Sequence, residues 1–556
     1  MKLYIILISG IFIFAEGCGT RQEISMQPKE IFPSVSNVST QTSETSLSPA
    51  YGDSLIEIYL SDAVTLNPVL IADVPSRRIS QLIFGSLVKE SPYYDILPDL
   101  AETWETRADG RAITFHLRDG VKWQDGVPFS ADDVKFTYEK IMDPKTQTYV
   151  RDDFTLVSTV EVLDRLTLRV EYSEPFAPAL CGWTIGIIPK HLYASEEINS
   201  CRYNRAPIGT GPFRFVEWKP QEQIILEGNQ DYFGGRPYLN RYICKNIPDP
   251  SMAFLCLLRG EADMMELTPD QYVKKANTGD FLSRFNVYRY PSTLYTYLGF
   301  NLTNPLFSDK SVRQALTMAA DRQAIIDNVL YGMGMVLSGP FPPSFWAYDN
   351  TVKPLPFDIE KSRALLSEAG WKDLDGDGIL ERGGKKFDFE LVTNNGNEMR
   401  RLAASLIRDD WKKIGVNVRL KFVEWGVLMD VCDYKSFDAL IMGWSHRTDP
   451  DPFSRFHSSV IPDKARGFVA DNFCSYINPA ADKLMVEGRT TFELEKRRKI
   501  YHEFHRIISE DQPYVFLFSQ DTIIAVSNRV MGIEVAPAGI RYNIQGWYVP
   551  KQFQKY

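Results

Sequence analysis

Cysteine is scarce in this chain, with seven among 556 residues. None stands in a C-x-x-C pair, which removes zinc-ribbon and thioredoxin-type chemistry. Histidine is scarcer still: His116, His191, His446, His457, His502 and His505 are the whole supply, which restricts imidazole-based metal or acid–base chemistry. Lysine and arginine form no block of five or more, and the formal net charge is −9, so the chain lacks the basic footprint of a nucleic-acid binder. Beyond the first eighteen residues, no stretch reaches the eighteen consecutive apolar residues that would read as a membrane span. Catalytic motifs are missing too. There is no G-x-S-x-G elbow, and the segment Gly378 to Lys386 sets its Gly384-Lys385 pair at the wrong distance for a P-loop. His502-Glu503-Phe504-His505 lacks the H-E-x-x-H spacing of a zinc protease, and it reads as a solvated helix face.

What remains is an ordinary globular composition, 44% apolar and 24% charged, with a high share of rings: 10 Trp, 27 Tyr and 33 Phe. The length suits either several core-sized domains or two large lobes. The aromatic content suits a large core, or a cleft that grips ligands by stacking. At the start, Lys2 precedes an apolar run from Leu3 to Ala15 that is too short to cross a bilayer, so it predicts a signal peptide. Ala15-Glu16-Gly17-Cys18 has the form of a lipoprotein cleavage box, predicting lipidation of Cys18; Glu16 departs from the usual small or apolar residue there. Release as a soluble exported protein is the alternative. Nine of the fifteen residues from Ser34 to Ser48 are Ser or Thr, so residues 19–50 read as a disordered tether. Export would put Cys181, Cys201, Cys244, Cys256, Cys432 and Cys474 in an oxidising compartment. Cys181–Cys201 is then the favoured local disulfide, while Cys256, inside the apolar run Met252 to Leu258, equally suits a buried free thiol.

The body alternates strands and helices. Ile113, Phe115 and Leu117 predict a half-buried strand closed by the Asp119-Gly120 turn. Ser130 to Asp133 carries N-cap chemistry for a helix to Lys140. Ser308-Asp309 opens another helix, Asp321 restarts it, and Gly332 stops it. Helices over Phe357–Ala369 and Glu398–Ile414 end at Gly370 and Gly415. Val416, Val418, Leu420 and Phe422 then alternate as a strand. Helix followed by strand at this spacing is α/β architecture.

One acidic cluster has metal-ligand spacing. Asp373, Asp375 and Asp377, with Gly378 and Glu381, match the first part of an EF-hand loop, in which oxygens at alternate positions converge on Ca²⁺. The twelfth position is Gly384 instead of a bidentate Glu. The alternative is an Asp/Gly-rich turn between helix and strand, with no cofactor.

Thr114-Phe115-His116-Leu117-Arg118-Asp119-Gly120-Val121-Lys122-Trp123-Gln124-Asp125-Gly126, running into Phe129-Ser130-Ala131-Asp132-Asp133-Val134, resembles the signature of family 5 extracellular solute-binding proteins, the oligopeptide/dipeptide/nickel-type receptors of ABC importers. Ordered matches surround it: Leu97 to Trp104, Gly209 to Phe213, Arg259 to Asp263, Ser311 to Leu316 with Asp321-Arg322, Ala369-Gly370-Trp371, Gly443-Trp444 before Asp449-Pro450-Asp451-Pro452-Phe453, and Trp547-Tyr548. Each is weak alone; together they cover residues 51–556 in the expected order.

The resemblance implies a two-lobed fold of the periplasmic-binding-protein type, in its type II large peptide-binder class, closing over a ligand about two crossing strands. Lobe I would hold residues 51–290 plus 525–556, with room for a subdivision, and lobe II residues 291–524. The crossings would fall near Pro291–Tyr297 and Ser519–Val526. It implies a substrate-binding lipoprotein rather than an enzyme. Such a protein would capture oligopeptides, act as a monomer, partner ABC permease subunits, and sit on the periplasmic or outer face of a membrane. The cleft would be lined first by Trp444, Ser445, His446, Arg447, Asp449 and Asp451, then by Tyr295, Tyr297 and Asn67, then by Trp346 in the Pro-rich loop with Phe341 and Phe345. An aromatic platform beside polar groups buries an apolar side chain or stacks a sugar, and charges fix orientation. One departure matters: several peptide receptors of this family carry an Asp three residues after the Trp, to hold the peptide's amino group. This chain has Arg447 there. Either Asp449 or Asp451 takes that role, or the ligand has no free amino terminus at that point, and Arg447 could instead grip a carboxylate. Asp449-Pro450-Asp451-Pro452 could equally be a rigid turn with its own side chains bonded to backbone. An oligosaccharide or metal chelate stays open as the cargo, and an exported hydrolase rests only on abundant carboxylates.

Overall fold

The computed structural model describes residues 47–445, 449–463 and 470–556. Cys18, His446 and Arg447 lie outside them, as do the leader and most of the expected tether.

Local chemistry sets the element boundaries where the residues announce them. The helix Ala131–Met142 begins with a capping box in which Ser130 and Asp133 satisfy each other's backbone amides. Asp309 and Asp321 cap Lys310–Met318 and Arg322–Val329, and Gly332 takes φ +77° beyond the second, a conformation glycine adopts without strain. Ile359–Glu368 and Glu398–Lys412 end as expected at Gly370 and Gly415. Ile113, Phe115 and Leu117 are buried on the strand Ala112–Leu117, inside a four-stranded antiparallel sheet. The alternation in Asn417–Val423 is only half covered. Val418 is buried, but Phe422 is 41% exposed, because this strand is the outermost of its sheet.

Among the described residues, one mixed sheet of eleven strands runs through the molecule. Its order is Asn417–Val423, Asp388–Asn394, Ala439–Ser445, Phe285–Phe300, Tyr514–Ser527, Met264–Glu266, Ser54–Tyr59, Arg241–Asn246, Gln223–Gly228 and Phe213–Lys219, with Gly334–Met335 added beside Tyr514–Ser527. Each half has a strand parallel to both neighbours: Asp388–Asn394 in one, Ser54–Tyr59 in the other. Parallel neighbours need a crossover connection, and the helix Glu398–Lys412 supplies it between Asp388–Asn394 and Asn417–Val423.

The halves are joined by the two longest strands, Phe285–Phe300 and Tyr514–Ser527, antiparallel from Phe285 opposite Ser527 to Gly299 opposite Tyr514. Their register shifts between Pro291 and Tyr295. Proline has no amide to donate, so a bulge is where a strand tolerates it. Ser519 Oγ donates to the carbonyls of Ser292 and Leu294, at 3.2 and 3.1 Å, and holds the bulge in place. Buried side chains divide around this seam. The largest cluster draws on Leu55 to Met264 and Ile524 to Val549, and a smaller one on Ala253 to Phe285 with Ile58, Met333, Ile523 and Ala525. Two others come from between the crossing strands, Leu298 to Phe518 and Tyr295 to Phe516.

Two expectations are corrected here. All six described cysteines are free thiols, including Cys181 and Cys201. Cys201 is packed in the large core with Ile198 and Tyr193, whereas Cys181, on the short helix Ala179–Gly182, feels the charges of Asp449 and Arg497. The two sulfurs thus serve different surroundings. His505 does not lie on a solvated face: it is fully buried on Leu494–Asp511, with Nδ1 accepting from the Asp349 amide at 3.1 Å and Nε2 within 3.0 Å of Ser338 Oγ.

Candidate ligand cleft between the halves

The strand Ala439–Ser445 delivers Gly443, Trp444 and Ser445 opposite Thr296, Tyr295 and Leu294, directly beside the bulge. The side chains of a strand alternate in direction, so Gly443 and Trp444 face opposite sides of the sheet. Trp444 stacks on Tyr297 at 6.2 Å and on Phe473 at 5.6 Å, and the Arg455 guanidinium lies 4.9 Å from its ring centroid. Arg455 also donates to the Ser445 carbonyl at 2.8 Å. Ser445 itself is exposed, its hydroxyl 3.4 Å from that of Thr293. Glycine at 443 is dictated by close approach, since a Cβ there would lie 2.9 Å from the Tyr295 carbonyl oxygen.

The Asp449-Pro450-Asp451-Pro452 turn is tied down by two arginines brought from a later helix pair. Asp449 accepts both terminal nitrogens of Arg497, at 2.8 Å to Nη2, and Arg497 Nε donates to the Gly488 carbonyl at 2.7 Å. Asp451 accepts from Arg489 Nε at 2.9 Å. The backbone is served as well: Asp449 accepts from the Asp451 amide and Asp451 from the Phe453 amide. Burial works against the charge of Arg497, yet Asp449 outweighs it and holds that guanidinium above its ordinary pKa. At Asp451 burial wins over Arg489, pushing the carboxyl up. Neither carboxylate stands free as an unpaired acceptor for an ammonium group.

Trp346 stacks on Tyr501 at 5.5 Å with the Arg497 guanidinium 5.3 Å from its ring. Tyr295 and Tyr297 are fully buried in the same cluster, and Tyr297 stacks on Tyr514 at 4.0 Å. Asn67 turns inward on the other half: Nδ2 donates to Asn204 Oδ1 at 2.9 Å, and Oδ1 accepts from the Val69 amide. The structure therefore gathers Trp444, Ser445, Asp449, Asp451, Tyr295, Tyr297 and Trp346 on one side of the seam, and sets Asn67 inside the other.

The two sides touch. Tyr94 stacks on Phe345 at 5.0 Å. The Ala177 amide donates to the Arg489 carbonyl at 2.6 Å, and the Arg489 guanidinium lies 5.0 Å from the Phe176 ring and 4.0 Å from that of Phe453. Burial raises the Cys181 thiol's pKa well above its ordinary value, with the charge of Asp449 adding to the effect. Phe176, Ala177 and Tyr94 were not singled out from the sequence, and Cys181 was singled out only as a disulfide partner; the only signal for the first three is that they flank turns.

The acidic loop lies elsewhere and is exposed. Oxygens of Asp373, Asp375 and Asp377 lie within 4.8 Å of one another. Asp373 caps the Gly376 and Gly378 amides, while the Lys386 ammonium bonds both Asp375, at 2.9 Å, and Asp377. Glu381 is outside this convergent set, in the short strand Glu381–Arg382 paired with Lys385–Lys386.

Residues 95–464 match the family model described as bacterial extracellular solute-binding proteins, family 5 middle. The chain is 34% identical over 513 residues to the oligopeptide-binding protein AppA of Bacillus subtilis, covering 90% of this chain and 93% of that one. A solved structure of AppA in complex with a nonapeptide superposes with a TM-score of 0.80 at 32% identity, covering 91% of this chain and all of that one. NikZ from Campylobacter jejuni, in complex with Ni(L-His), gives 0.79 at 31% identity, with 89% and 99% covered.

Proposed function

This chain belongs to the family 5 bacterial extracellular solute-binding proteins, and we propose that it is the solute receptor of an ABC importer that captures oligopeptides between its halves. The observation that carries the reading is the seam itself. Two continuous strands cross between the halves, a bulge interrupts their pairing, and aromatic and charged side chains collect beside it. Closure about a few residues at strand crossings is a recognised ligand-driven motion. We place the hinge at Ser292 to Leu294 and at Ser519, lobe I before and after the crossing strands, and lobe II between them.

Peptide is favoured over other cargoes by the nonapeptide complex of AppA, the more so because the likeness spans nearly the whole of both chains. The Ni(L-His) complex of NikZ favours a metal chelate as the second reading. On either, the protein binds and releases its ligand unchanged, is a monomer, is exported, is held at the membrane through a lipidated Cys18, and passes cargo to permease subunits. Native mass spectrometry of protein purified from the producing cell tests this: intact peptides should co-purify, and a glycan or nickel chelate in their place would overturn the peptide reading. Palmitate labelling abolished by C18S tests the anchor.

A further inference from the structure

Away from the crossing strands, the halves also meet through one turn of each. The end of the helix Pro479–Thr490 carries Arg489, and Phe492 follows it before Leu494–Asp511 begins. Opposite stand the Gly110 turn, which joins Ala101–Thr106 to Ala112–Leu117, and the Phe176-Ala177 segment before Ala179–Gly182. These two form one surface, because the Phe176 amide donates to the Gly110 carbonyl at 3.4 Å. Three contacts cross to it. The Ala177 amide donates to the Arg489 carbonyl at 2.6 Å. The Arg489 guanidinium is shared by Phe453 of its own half and Phe176 of the other, 4.0 and 5.0 Å from their ring centroids. Phe492 lays its ring edge on Gly110, where a Cβ would lie 2.3 Å from both Cε2 and Cζ. Only glycine allows that approach, and the same glycine closes its own turn at φ +67°.

The tip that reaches across is held rigid from behind. Asp451 fixes Arg489 Nε at 2.9 Å, Arg497 ties the two helices together through the Gly488 carbonyl, and Thr491 Oγ1 donates to the Glu487 carbonyl at 2.8 Å. Phe492 itself is 49% exposed and belongs to none of the buried apolar clusters of its own half, so its packing is spent on the seam. A preorganised tip forms such contacts at little cost in ordering. We propose that Phe492 and Arg489 form a clasp with Gly110, Phe176 and Ala177 that holds the halves closed and so sets affinity, whatever occupies the cleft. This rests on the reading of capture by hinged closure and deepens it. The Asp449-Pro450-Asp451-Pro452 turn then positions the clasp through Arg489. Because every partner in it is protein, its contribution is the same for each cargo: apparent affinity scales with the population of the closed state.

The test uses ligand-stripped protein and two randomised hexapeptide pools, one acidic and one basic. F492A should weaken both by the same factor, on the order of 10-fold, chiefly through faster dissociation. G110N should do likewise, since asparagine tolerates a positive φ while its Cβ displaces the ring. Added to F492A it should cost nothing further, because the contact is already gone. Stripped F492A should melt with the wild type, as a half-exposed ring outside both cores adds little to either. Unchanged affinity, a loss that differs between the pools, or a G110N loss that adds in full to that of F492A would overturn the clasp. Melting of F492A well below the wild type would make Phe492 a structural residue and overturn it too. If neither pool binds the wild type, the peptide reading fails and small-angle scattering of the stripped proteins decides on the clasp. F492A should then show the larger radius of gyration, and equal radii would overturn the proposal.

Discussion

The two Asp-rich turns of this chain are built from the same residue types, yet their surroundings are opposite. In Asp449-Pro450-Asp451-Pro452 each carboxylate faces its own arginine from a helix pair 38 and 48 residues further on, and the cluster abuts Cys181 of the other half. In Asp373 to Gly378 the carboxylates are exposed, bonded to their own loop and to one lysine. Burial rather than residue identity ties the first turn into the packed seam and leaves the second a solvated loop. It also reverses the electrostatics: burial raises the Asp451 carboxyl's pKa, whereas Lys386 lowers that of Asp375.

Removing one cation from each turn should break the comparison most sharply. R497M strands the Asp449 carboxylate, so unfolding in denaturant should show a loss of about 3–5 kcal/mol; a loss under about 1 kcal/mol would mean that water reaches Asp449. The same helix carries His505, whose pKa burial pushes down to about 4. The folded state resists its protonation, so the unfolded chain binds that proton at higher pH. The associated stability is complete above about pH 6.5, declines as pH falls, and is gone near pH 4, on the order of 3 kcal/mol in all. The H505N variant should flatten that part of the stability–pH curve, and an unchanged slope would contradict the assignment. The smallest effect belongs to the exposed turn. K386A should move the melting temperature little, since exposed ion pairs contribute little. Millimolar Ca²⁺ should leave the wild type unmoved, because Lys386 already holds two of the three carboxylates; a clear rise would show the ion displacing it.

Local chemistry was legible in the residues. Ser130, Asp309 and Asp321 announce their helices, Gly370 and Gly415 end theirs, and the ordered family motifs locate the crossing strands and the Gly443-Trp444 pair. Long-range pairing was not. Nothing near Asp449 marks Arg497 as its partner, and the spacing of Cys181 and Cys201 says nothing of the different environments that keep them apart. The solvated reading of His505 failed because the packing of Gly339 against its ring is tertiary.

Small-angle scattering of ligand-stripped protein titrated with peptide tests the central claim most directly. Capture between hinged halves predicts a saturable decrease in radius of gyration as peptide is added, reversed when peptide is removed by dialysis, with the peptide recovered intact. Saturable peptide binding without any change in the scattering, or a decrease produced by a nickel–histidine chelate and not by peptide, would contradict it.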